Sequence, residues 1–375
     1  ELYERVTDYV REGYNQALRD KRNYVGFLLL LMQRLVASST RAIRTSLEKR
    51  AEVLHAPTPP MCERFDETRE GEGDWLETDV QAQLEELIKT AAQAQANELN
   101  EVEGLLQLAR SCESDRPDAK AEALLDLLLE LERSENDASL KYLIFTEFVP
   151  TQEMLREFLS ERGYSVVTLN GAMDLDARRR VQQEFAGPVR VLISTDAGGE
   201  GLNLQYAHIA INYDLPWSPT KIEQRIGRVD RIGQTHPVRA FNLVIADSVD
   251  YRVQEVLAEK LAVILAEFGV DKTSDILDSA EAEADFEELY RRVLIRPDQI
   301  EQEVDTLLSS IRKRTVDAQA ILSMLTDENA ADLSAAQQIQ NKPLIAWLER
   351  LYVSNLRADG GECVATESGY QIRRT

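Results

Sequence analysis

Apolar residues in the first third of the chain recur at helical spacing. Leu2, Val6, Val10 and Tyr14 fall on one stripe, a second run covers Tyr24 to Leu54, and Val80, Leu84, Leu87, Ile88, Ala91, Leu99, Val102 and Leu106 keep the same period. The Leu-rich block Ala123 to Leu131 follows Pro117, whereas the stretch near 55–75, with Pro57, Pro59, Pro60, Gly71 and Gly73 among charges, reads as linker. At Lys141 the pattern changes. Short β-rich runs, YLIF (142–145), SVVTL (165–169), VRVLIS (189–194), HIAIN (208–212) and VRAFNLVI (238–245), alternate with helical segments. Strand, helix, strand predicts a parallel sheet wound on both faces. Its first helix, Thr151 to Arg162, carries Leu155, Phe158 and Leu159 on one stripe and stops at Gly163. Its second, about Asp174 to Phe185, is expected to turn Leu175, Val181 and Phe185 inward. After Asp250 helical spacing returns, with one run ending at Gly269 and another from Ile300 to Ile311. The expected organisation is a helical region over 1–138, an α/β lobe over 139–250 and a helical extension over 251–375, with no internal repeat.

Composition adds limits. At 375 residues and 43% apolar the chain can bury two or three packed units. The longest apolar run, Val25 to Val36, is interrupted by Arg34 and is shorter than the roughly 20 residues of a membrane-spanning helix. Cys62, Cys112 and Cys363 are odd in number and widely spaced, with no CxxC pair for zinc or a disulfide framework, so a reducing cytoplasm is the expected setting. The sequence opens on Glu1 within a helical pattern and without Met, which reads as a piece of something longer. A formal net charge of −23 argues against nucleic-acid binding, but 141–250 holds 12 basic and 14 acidic residues, so the acidity belongs to the flanking helices.

Three segments of the α/β region follow strands, at the carboxyl edge where open parallel sheets bind ligands. In QRIGRVDRIGQ, Gln224 to Gln234, a helix would place Gln224, Arg228 and Arg231 on one face and Arg225 off it, where its loss should matter less. Guanidinium forks suit the charge that develops on a transferring γ-phosphoryl group, although a solvated face with surface ion pairs would show the same spacing. In STDAGGEGLNL, a strand runs straight into Gly198, Gly199 and Gly201, which lets backbone N–H groups approach a phosphate or forms an ordinary tight turn. IFTEF (144–148) and LNGAMD (169–174) place Thr146, Asn170 and Gly171 at strand ends, where small polar groups can bond a phosphate backbone. His55, His208 and His236 are too scattered for a metal site and are expected to be structural. Trp217 is expected to pack under the helix of the Arg-rich segment rather than stack on a base.

Taken together and in this order, IFTEF, STDAGGEGLNLQ and QRIGRVDRIGQ resemble motifs IV, V and VI of the second RecA-like lobe of Swi/Snf-family helicase-like translocases. NYDLPWSP (212–219) resembles the segment between V and VI, and the closing RIGQ is a signature of that family. The wording RIGRVDRIGQ is closer to the bacterial, RNA-polymerase-associated type. The resemblance covers about Lys141 to Lys260; the N-terminal helices are more loosely similar to the inter-lobe insertion, and the last hundred residues match nothing.

The resemblance implies a RecA-like lobe flanked by helical regions, in an ATP-dependent translocase of double-stranded DNA. Arg228 and Arg231 would be arginine fingers, with Gln224 assisting at the γ-phosphate. Asn203 would approach the ribose and Gly199 and Gly201 would shape the loop, while Thr146, Asn170, Gly171 and Thr195 would hold one strand's phosphates without sequence preference. ATP and Mg²⁺ would be bound mainly by an N-terminal RecA-like lobe of the same protein, because the chain has no GxxxxGK(S/T) loop and no acidic metal box after a strand. Alone it is expected not to hydrolyse ATP. A strand-separating helicase and a non-catalytic regulatory module remain as alternatives. RNA polymerase or a defence complex stand open as protein partners.

Overall fold

A computed structural model describes residues 1–19, 23–55, 98–137, 139–199, 204–231, 233–246, 248–268, 280–328, 362–366 and 369–373. Five helices precede the sheet: α1 (Leu2–Arg19), α2 (Asn23–Ser38), α3 (Thr40–His55), α4 (Glu98–Asp115) and α5 (Ala119–Glu135). The linker expected beyond His55 and the helical positions from Val80 to Asn97 lie outside the described residues. The single helix expected over 24–54 is broken at Ser39. Its hydroxyl accepts the Ala42 backbone N–H at 3.1 Å, the bond of a helix N-cap, so a continuous apolar period conceals a new helix start.

The lobe runs β1 (Tyr142–Phe145), α6 (Val149–Ser160), β2 (Val166–Leu169), α7 (Leu175–Ala186), β3 (Val191–Ser194), the one-turn α8 (Asp196–Gly199), β4 (Ile209–Asn212), α9 (Pro219–Ile226) and β5 (Arg239–Asn242). All five expected strands are present and every pairing is parallel, in the order β2-β3-β1-β4-β5. The order reverses about β1, which opens a crevice at the carboxyl ends of the central strands.

Both faces of the central strands β1, β3 and β4 are covered, which is why they read as apolar runs rather than alternations, whereas the edge strand β5 is mostly exposed. Tyr142, Ile144, Ile193 and Ile211 face a core completed by Leu124 and Leu128 of α5 and Leu155 and Leu159 of α6. Leu143, Phe145, Leu192 and Ala210 face another completed by Phe185 of α7 and Val229. Helix α6 stops as expected at Gly163, whose φ of +87° favours glycine, and the following Tyr164 N–H returns to the Leu159 carbonyl at 3.1 Å. One inward assignment is corrected. Leu175 is 72% exposed, because the Asp174 side chain caps α7 through the Ala177 N–H and leaves the first turn pointing to solvent.

After the sheet come α10 (Val249–Phe268), α11 (Ala280–Ile295), a short 3₁₀ turn (Pro297–Gln299) and α12 (Ile300–Glu328). Gly269 lies outside the described residues. Helices from both ends of the sequence share a core, in which Val10, Leu35 and Leu47 lie with Val253, Phe286 and Val304. The fold divides into two compact units, Glu1–Arg312 and Lys313–Thr375. The second contains an antiparallel hairpin, β6 (Glu362–Thr366) and β7 (Gly369–Arg373), inside a stretch expected to be helical. Among the described residues no helix is long and apolar enough to cross a membrane.

Candidate functional site at the carboxyl edge of the sheet

Asp214, just past β4, is the hub of the carboxyl edge. Its carboxylate accepts from the Thr146 hydroxyl, the Glu147 N–H at 3.1 Å, the Ser38 hydroxyl at 2.8 Å and the Lys120 ammonium at 3.3 Å. These donors come from the turn after β1 and from α2 and α5, so the N-terminal helices are built into the edge itself. Arg34 of α2 adds an ion pair with Glu147, and Ser38 and Ser39 both lie 2.7 Å from the Thr151 hydroxyl. A buried acid of this kind is tolerated because three donors meet one carboxylate oxygen and the Lys120 ammonium meets the other.

Arg225 forms a second knot beside the first. It is 3% exposed and its guanidinium reaches both Asp196 oxygens at 2.6 and 2.8 Å, the Asn212 side chain at 3.2 Å and the Asp214 carbonyl at 2.7 Å. Burial opposes the charge of Asp196, but the Arg225 charge and its two hydrogen bonds outweigh that cost and hold the carboxyl below its usual range. The fork therefore ties α9 to the α8 turn and to β4. Arg225, expected to matter less than Arg228 for lying off the shared face, is the most enclosed guanidinium of the Arg-rich segment.

The other residues of that segment are arranged differently. Helix α9 ends at Ile226, and the chain continues in tight turns, with the Arg228 N–H on the Arg225 carbonyl at 3.1 Å and the Asp230 N–H on the Ile226 carbonyl at 2.9 Å. Gln224, Arg228 and Arg231 thus do not share a helical face as the spacing suggested; Gln224 lies in the helix and the arginines follow it. Gln224 and Arg231 are exposed and Arg228 is half-buried. Arg231 gives one bond, Nε to the Gly227 carbonyl at 3.1 Å, and the Arg228 guanidinium makes none among the described residues. Donors left open in this way fit an anionic phosphate brought to them from outside the lobe.

The glycine turn after β3 is a close approach. A Cβ on Gly198 would sit 2.5 Å from the Leu169 carbonyl oxygen, and one on Gly199 would sit 2.9 Å from the Ser194 hydroxyl. Thr195 is buried, its hydroxyl accepting the Gly198 N–H at 3.3 Å, and Thr146 is fully buried on Asp214. Neither hydroxyl is presented to a ligand, which corrects their reading as direct phosphate contacts: burial makes them loop-fixing groups. Asn170 and Gly171 are half-buried at the end of β2, and the Asn170 amide donates to Gln152 at 3.1 Å. Gln152, missed in the sequence, is 1% exposed and its amide joins the Leu169 and Ile193 carbonyls at 2.9 Å each. Gly201 and Asn203 lie outside the described residues.

Trp217 is structural but not through α9. Its ring stacks on Tyr290 of α11 with centroids 4.8 Å apart, and its Nε1 donates to Asp250 at 2.9 Å. His208 meets Glu135 at 3.0 Å and stacks on His236, as expected of structural histidines.

Comparison with known proteins bears on the lobe as a whole. Residues 119–233 match the helicase conserved C-terminal domain. An uncharacterized ATP-dependent helicase of Bacillus subtilis, YqhH, is 40% identical over 154 residues, which cover 41% of this chain and 27% of that protein. A putative SWI/SNF-related matrix-associated actin-dependent regulator of chromatin, subfamily A member 3-like 1, of Arabidopsis thaliana is 34% identical over 152 residues, covering 39% of this chain and 17% of that one. The chain therefore spans about a quarter or less of the length of these relatives. The crystal structure of the C-terminal part of the Fun30 ATPase domain overlays 78% of this chain and 94% of its own at a TM-score of 0.41 and 17% identity, too loose a likeness to add to the strand order itself.

Proposed function

We propose, from the premise that residues 119–233 are a helicase C-terminal lobe of the Swi/Snf family, that the whole protein is an ATP-driven translocase on double-stranded DNA in which this lobe supplies the arginine side of the nucleotide site. The observation that carries the reading is the contrast within one short segment. Arg225 is consumed by the fold, whereas Gln224, Arg228 and Arg231 stand just beyond it with donors to spare.

Open guanidinium groups on a lobe without its own phosphate loop act across an interface. ATP with Mg²⁺ is held mainly by an N-terminal RecA-like lobe of the same protein, and supplies the phosphoryl group that is transferred to water. Arg228 and Arg231 place fixed positive forks where negative charge grows, and Gln224 adds an amide beside them. The Arg225–Asp196 tie makes α9 and the glycine turn move as one piece, so a shift of the fingers is felt at the strand ends. Asn170 and Gly171 contact a backbone phosphate there, held in place by Gln152, while Thr146 and Thr195 fix the loops on either side. From the motif alone, Gly199 and Gly201 are assigned to shaping the loop and Asn203 to approaching the ribose. Such contacts read no bases, so the motor runs along any duplex.

The test is DNA-stimulated hydrolysis by the full-length protein. Arg228→Ala and Arg231→Ala should each lower kcat about 10³-fold while ATP and DNA affinities hold, since interactions made mainly in the transition state set turnover rather than ground-state binding. Retention of wild-type rates by both variants overturns the assignment. A tailed-duplex unwinding assay on the same protein separates translocation from strand separation.

A further inference from the structure

The last residue of the Arg-rich segment contacts no ligand-facing surface, yet its side chain is the most connected of the turn. Gly233, at φ +105°, reverses the chain after Arg231 in a conformation that glycine alone adopts without strain. The reversal aims Gln234 back at the segment it has just left. Its side-chain amide Nε2 lies 3.2 Å from the Gln205 carbonyl, 3.0 Å from the Ala207 carbonyl and 3.3 Å from the Val229 carbonyl. Its Oε1 accepts the N–H groups of Thr235 at 3.0 Å and His236 at 3.2 Å. One amide thus joins three segments: the loop leading to β4, the turn that carries both arginines and the approach to β5. Backbone bonds close the same ring, from the Gln234 N–H to the Arg231 carbonyl at 3.0 Å and from the Leu204 N–H to the Arg228 carbonyl at 3.2 Å.

An apolar residue of equal length would fill the space and remove the two N–H donors that three carbonyls share; a carboxylate would set negative charge against them. Only a neutral side chain with a donor and an acceptor at its tip serves both sets. Arg228 and Arg231 lie past the end of α9, where backbone turn bonds such as the Asp230 N–H to the Ile226 carbonyl at 2.9 Å hold the chain, and Gln234 adds to them a side-chain clamp onto the loop before β4. We infer that Gln234 is a positioning residue, which fixes the turn of Arg228 and Arg231 against the loop preceding β4 and so sets where the guanidinium groups stand. This rests on the reading of those arginines as fingers.

The experiment is a mutant cycle in the full-length protein, with hydrolysis measured under single-turnover conditions at saturating DNA. Gln234→Glu, which keeps the shape and the acceptor but removes the donor, should lower kcat about 10²-fold, the cost of a displacement near 1 Å at a reacting centre. Dissociation constants for ATP and DNA should stay within about twofold. In a background lacking both fingers, Arg228→Ala/Arg231→Ala, the same substitution should cost less than about threefold, because the clamp then has no guanidinium left to position. A thermal melt of each variant checks folding, and if the Glu variant does not fold, Gln234→Asn, neutral and one methylene short, enters the cycle instead. Unchanged kcat, or a full multiplicative loss in the Arg228→Ala/Arg231→Ala background, overturns the inference. Wild-type turnover by Arg228→Ala and Arg231→Ala instead sinks the finger reading, whereas dependence on both with a tolerant Gln234 sinks the clamp alone.

Discussion

Replacing Arg225 by Ala removes four hydrogen bonds at once, two to Asp196 and one each to the Asn212 side chain and the Asp214 carbonyl. Removing one partner of a fully buried ion pair costs about 3–5 kcal/mol, because the other charge is left without compensation. Asp196 is 39% exposed at its side chain and can recover water on that edge, so the charged bonds are discounted toward the lower end. The Asp214 carbonyl and the fully buried Asn212 cannot recover as easily. The expected loss is about 3 kcal/mol, dominated by desolvated acceptors rather than by the ion pair. In a unit of this size that corresponds to a fall in Tm of about 6 °C.

Urea unfolding of the chain measures it, with a lowered midpoint at unchanged slope marking lost stability rather than an altered denatured state. Arg225→Lys should recover about half, since it supplies a charge without the fork. The pH dependence adds an internal check. Asp196 is held below its ordinary value of 3.8, so its contribution is present above that pH and is lost as pH falls through the lower folded value. The gap between wild type and Arg225→Ala should therefore narrow below about pH 3.8. A loss under about 1 kcal/mol at neutral pH, or a gap that does not narrow in acid, refutes the view of Arg225 as the tie between α9 and the glycine turn.

Two further outcomes follow from the same edge. Burial raises the Asp250 carboxyl, with the Trp217 bond working the other way, so its stabilising share is complete below 3.8 and lost as pH rises through the raised folded value. Asp250→Asn keeps an acceptor for Trp217 without the charge, and its stability relative to wild type should rise between pH 4 and pH 7 in urea midpoints; a relative fall contradicts the burial argument. The 375-residue chain by itself should release no phosphate from ATP, for want of a phosphate loop; release that disappears in Arg228→Ala would show the nucleotide site to be complete within these residues.

The sheet was legible because burial on both faces turns its central strands into apolar runs such as Tyr142–Phe145, and a run between turn signals has few other readings. Periodicity was less reliable wherever a single side chain decided the outcome. The Ser39 hydroxyl ends one helix and starts another inside an unbroken apolar pattern, and the Asp174 cap turns Leu175 outward in what reads as an inward stripe. The hairpin at 362–373 was missed for a related reason: two five-residue strands show too few alternations to outweigh the helical spacing before them. At the site, spacing singled out Gln224, Arg228 and Arg231 but not the burial of their neighbour Arg225 or the place of Gln152. A helical wheel places Gln224 and Arg225 a residue apart and cannot know that Asp196, Asn212 and Asp214 wait on one side of α9 and open space on the other. The partners of Trp217 and Thr146 are likewise remote, Tyr290 and Asp214, and are set by topology rather than by neighbours in sequence. Two arginines of one motif can therefore have opposite fates: the one whose bonds the fold consumes holds the lobe together, and the one whose donors are left over is available for chemistry.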